Sequence, residues 1–425
     1  MCKKHLAIKK GIRREKQKYF CLKCQKYFSR SLTREGSPIN NEALRDHLEG
    51  ISYRKLQVRT GVQKKKICQI VNAEISNLPA NLELTKQCFD QLNYSGNLVI
   101  DGKYIPVKED VAASFFSASP GKIPKSRKRQ KVKRGKVLIW GADYDSHDLP
   151  HFEFGDSENI FVFSNYFQTL KEQNYPLKSL TTDDKGEAIQ AAQRYYPNCV
   201  IQLCIKHYLA KMNRILVTQH IAVKLRVKER KIEKLFPEAD SERIPINRFY
   251  SLKQIIKLTN EMAELESRYE LLFDFQAAVS GIITSPDYQT AQDRIESLDK
   301  YFWPSRQKMK FPKEQIRLVR KLLRDFHDNQ EYLLNYLKYP HLNIPSTTNL
   351  LEGFNSQLEL RLSSIRGFET IETAKNYINA WIIKRRLTKF TDCRNSFKKL
   401  NGKSPLECAG ADISKSKNLL KAFRF

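Results

Sequence analysis

The hydrophobic pattern divides this chain into strand-like runs and helical stripes, and the two are unevenly distributed. Between residues 97 and 204 the apolar runs have strand length. The first is Asn97 to Val107, NLVIDGKYIPV; VLIWGADYD follows from Val137 and LPHFEFGD from Leu149. A long basic loop and a turn at Asp145 to Asp148 join them, so the three read as consecutive antiparallel strands. Asp143, Asp145, Asp148 and Asp156 fall at turn and edge positions in this reading. A helix is expected from about Asn165 to Gln173, then a short strand ending in Asp183 and Asp184. A helix with Ala188, Ile189 and Ala192 inward follows, and a further strand, CVIQLC, turns at Cys204 into a basic helix.

Beyond His207 the alternation stops. SLKQIIKLTNEMAELESRYELLFDF and KEQIRLVRKLLRDFHDNQEYLLNYL carry their apolar residues at helical spacing. From Ser346 to Leu362 the stripe is Leu351, Phe354, Leu358 and Leu362, with Pro345 and Thr348 suited to the helix start. From Ile371 to Arg386 another inward stripe holds Ile371, Ala374, Tyr377, Ile378, Trp381 and Ile382. It ends in Lys384-Arg385-Arg386, a charge expected to lie against a polyanion.

Nearer the start, Asn41 to Asn77 holds two helical patterns, the first with Leu44 and Leu48 on one face and Asn41 as its cap. In the second, Leu56 belongs to a short helix, Gly61 makes a turn, and Val62, Ile67, Ile70 and Val71 line a following helix. That is the pattern of a helix-turn-helix. Lys64, Lys65 and Lys66 then stand at the start of the second helix, where a recognition helix meets the major groove or its phosphates.

Three antiparallel strands, a helix, a strand, a helix and a strand describe a ribonuclease-H-like mixed sheet. The expected fold class is therefore mixed α/β, a ribonuclease-H-like core with a large all-helical insertion, preceded by a DNA-binding module. The divisions are 1–35 (zinc-ribbon-like), 36–80 (helix-turn-helix), 95–207 (first part of the core), 208–345 (helical insertion), 346–390 (final core helices) and 391–425 (tail).

Charge sharpens this picture. The 425 residues carry 75 Lys and Arg against 46 Asp and Glu, a formal charge of +29, which implies a polyanionic partner and most simply nucleic acid. Gly121 to Lys136, GKIPKSRKRQKVKRGK, concentrates it, and Arg127, Lys128, Arg129, Lys131, Lys133 and Arg134 can grip phosphates by displacing their counterions. A membrane is not the expected partner, because no run of about 18 apolar residues occurs. Met1 to Lys10 is polar, so no secretory signal is expected, and nine scattered cysteines suit a reducing cytoplasm, on the nucleoid if the source is a prokaryote.

The cysteines that do cluster lie at the start. Cys21 and Cys24 form a Cys-x2-Cys knuckle, and Cys2 with His5 supplies a second pair, a spacing that suits a structural zinc ribbon. Cys204 and His207 also stand three apart, but only two ligands are near and the sequence does not reveal their chemical role.

The chemistry-bearing residue is Asp101, a lone carboxylate among Leu98, Val99 and Ile100. An ionised acid is costly to bury unless it is paired or binds a cation. Asp183 places a second carboxylate at a strand end, and Glu352 a third on the helix face that also carries Asn349, Asn355 and Glu359.

In VIDGKY, TTDDKGE, Cys204-x2-His207 and TTNLLEGFNSQL, taken in this order and spacing, the chain resembles the Mutator-like transposases of the bacterial insertion-sequence type. The resemblance implies an Asp-Asp-Glu triad, Asp101, Asp183 and Glu352, on a ribonuclease-H-like fold, with an all-helical domain inserted before the final acid. It also implies that Cys204 and His207 accompany activity. Family members often have Gly after the second acid where this chain has Asp184; the strand Leu180-Thr181-Thr182 favours Asp183.

The expected activity is transposition, a DNA recombination in which the ends of an insertion sequence are cut and their 3′-hydroxyls joined to target DNA. Two magnesium or manganese ions held by the three acids would serve it. Trp303 is a candidate contact to DNA ends, although core packing suits it better. Paired ends require at least a dimer on double-stranded DNA. The competing reading is a transposase-derived DNA-binding regulator that has lost catalysis.

Overall fold

The computed structural model describes residues 7–13, 16–21, 27–29, 38–89, 93–107, 135–183, 186–239, 245–302, 313–365, 367–416 and 423. Strands β1 (Ala7–Arg13), β2 (Lys16–Cys21) and β3 (Tyr27–Ser29) form an antiparallel meander. Cys2, His5, Cys24, Asp184, Trp303 and Arg127 to Arg134 of the basic loop lie outside the described residues, and of Cys21 only the backbone is described. The zinc expectation therefore falls outside them too.

Helices α1 (Pro38–Leu48), α2 (Tyr53–Thr60) and α3 (Lys64–Ser76) pack through Leu44, Leu48, Leu56, Ile67 and Val71, all buried. Asn41 is not a cap: α1 already begins at Pro38, where proline's missing N–H costs nothing. Ser52 caps α2, and Gly61 closes it at φ +67°, the left-handed region that glycine enters freely.

After α4 (Asn81–Cys88) comes a five-stranded sheet built from β4 (Asn97–Ile105), β5 (Lys136–Asp143) and β6 (Phe152–Gly155). The chain continues through α5 (Ile160–Glu172), β7 (Ser179–Thr182), α6 (Gly186–Tyr195) and β8 (Val200–Leu203). The order is β6-β5-β4-β7-β8. β4 pairs antiparallel with β5, and β5 with β6, whereas β4–β7 and β7–β8 are parallel. The expected mixed α/β sheet is thus present, with β4 at its centre. Helix α5 starts at Ile160 and not near Asn165, because Asn159 accepts hydrogen bonds from the N–H groups of Phe161 and Val162.

Among the described residues beyond β8 the main elements are helices: α7 (Ile205–Leu216), α8 (Thr218–Ala239), α9 (Pro245–Ile283), α10 (Tyr288–Phe302), α11 (Lys313–Lys338), α12 (Asn349–Ile365), α13 (Ile371–Leu387) and α14 (Pro405–Cys408). Three cores result. On one face of the sheet Leu98, Ile100, Val137 and Ile139 meet α5 and α6. On the other, Val99, Ile105, Leu138 and Trp140 meet α12, α13 and the N-terminal helices. The third joins α7 and α9 to α11 through residues such as Leu271, Phe275, Leu323 and Phe326. Among the described residues no helix is long and apolar enough to cross a membrane.

Several polar positions differ from the sequence expectation. Asp143 at the end of β5 and Asp148 just after the turn are fully buried, whereas Asp156 is exposed. Lys384 and Arg386 do not present charge outward either: they are 6% and 0% exposed, because α13 is enclosed at this end. Ile371, at the first position of α13, is 36% exposed and stands apart from the inward stripe.

Candidate active site

The parallel ladder between β4 and β7 matches Asn97 with Ser179, Leu98 with Leu180 and Val99 with Thr181. β7 ends at Thr182, so Asp183 directly follows the strand that runs parallel beside β4, the strand that carries Asp101. Side chains alternate along a strand, so Asp101 shares the face of Val99, the one covered by α12. From that helix Asn355 Nδ2 donates to Asp101 Oδ2 at 2.8 Å, and the Gly102 N–H donates to Asp101 Oδ1 at 2.8 Å. Gly102 faces the opposite side, where a Cβ would stand 2.1 Å from Glu158 Oε1, so the residue after the acid has no room for a side chain unless Glu158 moves.

Glu352 lies in the first turn of α12, one turn before Asn355. The segment leading into this helix is fastened to the sheet: Thr181 Oγ1 donates to the Pro345 carbonyl at 2.7 Å, and the Ile205 N–H to the Ser346 carbonyl at 3.0 Å. Lys206 Nζ donates to Glu352 Oε2 at 2.6 Å and to Asn349 Oδ1 at 3.1 Å. His207 Nε2 is 3.8 Å from Glu352 Oε1.

Cys204 and His207 meet at Thr348. The Thr348 N–H donates to Cys204 Sγ at 3.4 Å, and its hydroxyl lies 3.4 Å from the same sulfur and 3.3 Å from His207 Nδ1. Burial alone would push the Cys204 thiol up, but the hydrogen bonds from His207 and Thr348 prevail and hold it below its ordinary value. His207 is held above its ordinary value, first by its hydrogen bond with Cys204 against the opposing effect of burial, with the charges of Asp183 and Glu352 acting the same way.

The fold thus brings Asp101, Asp183, Glu352, Cys204 and His207 onto neighbouring elements at one end of the sheet. Among the described residues, however, no three His, Cys, Asp or Glu side chains approach closely enough to form a metal-holding group. Two participants were not assigned a part from sequence. Lys206 sits inside the Cys-x2-His motif, and Asn355 shares Glu352's helix face; both signals lay in residues already singled out for their neighbours. Lys64, Lys65 and Lys66 are exposed on the first turn of α3.

No family model and no curated protein matches this sequence. Among solved structures the chain is similar to the Drosophila P element transposase strand transfer complex, at 10% identity and a TM-score of 0.41, over 83% of this chain and 92% of that one.

Proposed function

We propose that this chain is a transposase that cleaves DNA at the ends of its element and joins the 3′-hydroxyls to target DNA, with Asp101, Asp183 and Glu352 as its acids. The observation that carries this reading is that Asp101 on β4 is held through Asn355 by the helix that bears Glu352 one turn earlier, while Asp183 directly follows β7, the strand paired parallel with β4. The sheet order, three antiparallel strands continued by two parallel ones, supports a ribonuclease-H-like core.

Carboxylate oxygens are the donors that magnesium or manganese prefers, and Glu352 Oε1 is buried without a hydrogen bond among the described residues. Asp101, Asp183 and Glu352 would hold such ions, which when bound stabilise charge on the attacking and leaving oxygens of a phosphodiester. The chain's own groups do the rest. Asn355 fixes the Asp101 carboxylate, Lys206 sets a positive charge against Glu352, and the His207 imidazole stands 3.8 Å from Glu352 Oε1. Water attacks first and the released 3′-hydroxyl second, so no side chain need act as nucleophile. Lys64, Lys65, Lys66 and the basic loop bind the DNA, and two ends per element make a dimer the smallest complete assembly.

A second reading, a regulator that binds DNA without cutting it, is favoured by the Lys206 ammonium already seated on Glu352. Cleavage of DNA carrying the terminal repeats, with magnesium or manganese, separates the two. We expect the unaltered chain to cut and Asp101→Asn, Asp183→Asn and Glu352→Gln each to bind without cutting. Binding without cleavage by the unaltered chain establishes the regulator, and normal cleavage by the variants removes these acids from the mechanism.

A further inference from the structure

We infer that Cys204, His207 and Thr348 form a clasp that positions Glu352, so that the Cys-x2-His motif serves the third acid and not a zinc ion. The inference rests on the acid-site reading above and assigns that site three positioning residues. As a metal half-site the motif lacks partners, since among the described residues no third ligand joins Cys204 and His207. Its atoms are already engaged otherwise.

The geometry is a chain of hydrogen bonds, with directions assigned from the network. His207 Nδ1–H donates to Thr348 Oγ1, the Thr348 hydroxyl donates to Cys204 Sγ, and the Thr348 N–H donates to the same sulfur. The start of a helix leaves N–H groups without partners inside the helix, and such donors are usually met by a nearby oxygen on the same segment. Here a sulfur on another element meets one. Cys204 is 1% exposed and directly follows β8, so the sulfur is a fixed point of the sheet.

Two backbone links carry this fixation to Glu352. The Cys204 N–H donates to the Thr182 carbonyl at 2.7 Å, tying the clasp to the strand that ends beside Asp183. The Glu352 N–H donates to the Thr348 carbonyl at 3.0 Å, so a displacement of Thr348 is passed directly to the acid. The same bond to Thr348 orients the imidazole, leaving Nε2 turned toward Glu352 Oε1 at 3.8 Å. Without the clasp all three acids remain, but the third loses its fixed distance from the other two. Supporting contacts of this kind are worth about 10- to 100-fold in metal affinity.

The test is manganese binding to the full-length chain, followed by electron paramagnetic resonance and calorimetry, with thermal melting run in parallel. Thr348→Val keeps the shape and removes the hydroxyl; we expect its Kd for manganese to rise about 10-fold or more at an unchanged melting temperature. Thr348→Ser restores the hydroxyl and should restore affinity. A second pair guards against a folding defect: Cys204→Ser retains an acceptor and should bind nearly as the unaltered chain does, whereas Cys204→Ala should follow Thr348→Val. If Thr348→Val and Cys204→Ala bind manganese unchanged while Glu352→Gln binds weakly, the clasp is overturned and the acid site stands. If Glu352→Gln binds as tightly as the unaltered chain, or the unaltered chain binds none, the acid site itself is overturned and the clasp with it.

Discussion

Arg386 and Asp148 form a fully buried ion pair, with Arg386 Nε 2.8 Å from Asp148 Oδ1 and Arg386 Nη2 2.7 Å from Oδ2. Each has further partners. Tyr94 donates its hydroxyl to Asp148 Oδ2 at 2.7 Å, and Arg386 Nη1 donates to Asn81 Oδ1 at 2.7 Å and Thr85 Oγ1 at 2.9 Å. The network therefore ties α13 to α4 and to the turn after β5, holding the helix that leads from the N-terminal module against the core. Asp148 and its neighbours hold the guanidinium above its ordinary value although burial opposes this.

Removing one partner of such a pair strands the other charge away from water. Arg386→Met should cost about 3–5 kcal/mol of unfolding free energy, and Asp148→Leu a similar amount. Replacing both together should cost less than the two single changes added. A double-mutant cycle by urea denaturation measures this; additive losses would mean that the pair is not coupled.

Gly96 governs the entry to β4. Its φ is +83°, and a Cβ there would stand 2.1 Å from the carbonyl oxygen of Pro176, a backbone atom that cannot swing aside. Gly96→Ala thus combines a disfavoured backbone with a clash and should cost about 2 kcal/mol or more, read as a lower urea midpoint. Gly61→Ala, whose Cβ would meet nothing within 4 Å, carries only the backbone penalty and should cost about 1 kcal/mol. Equal losses at the two positions would contradict the clash.

These two features mark what the sequence disclosed and what it withheld. Local periodicity was enough for β4, β5 and the stripe Leu351, Phe354, Leu358 and Leu362, because each pattern is complete within a few turns of chain and all four stripe residues are buried. The start of α5 was obscured because Ile160, Phe161, Val162 and Phe163 form an unbroken apolar run with no helical period, and only Asn159 signals a cap. Long-range partners left no trace. Arg386 lies 238 residues from Asp148, so three cations in a row looked like an exposed basic end. Likewise Thr348 lies 144 residues from Cys204, and the motif's partner could not be read from its spacing.

Acid should loosen the junction between the N-terminal helices and the core. His47 is stacked on Tyr53 at 4.3 Å between ring centres, meets Tyr377 edge-on at 5.6 Å, and is 7% exposed. Burial lowers its pKa to about 4, against a weak opposing bond to the Ile51 carbonyl. The folded state thus binds this proton less readily than the unfolded chain, whose value is about 6.5. The contribution is complete above pH 6.5 and is lost as the pH falls from there to about 4, up to about 3 kcal/mol in all. His47→Phe keeps a ring on Tyr53 and removes the proton. Urea unfolding between pH 7.5 and 4.5 should therefore show a shallower decline for His47→Phe, and parallel curves would show that His47 does not titrate in this window.

The exposed lysines of α3 make a prediction about salt that separates phosphate contact from base reading. Each cation seated on a phosphate releases counterions from the duplex, so the slope of log K against log salt shifts by about 0.9 per contact. Lys64→Ala, Lys65→Ala and Lys66→Ala, made singly, should each weaken binding to any duplex by a similar factor and make the slope shallower by about 1. A lysine that reads a base edge behaves differently, because its loss weakens binding to the terminal repeat far more than to unrelated DNA. Lys64 also lines a cavity of about 630 Å³ beside Arg54, Tyr53 and Asn72. Fluorescence anisotropy with the terminal repeat and with a scrambled duplex, between 50 and 200 mM salt or so, measures both quantities. Unchanged affinity and slope in all three variants would exclude the first turn of α3 from the DNA interface and leave the basic loop to supply it.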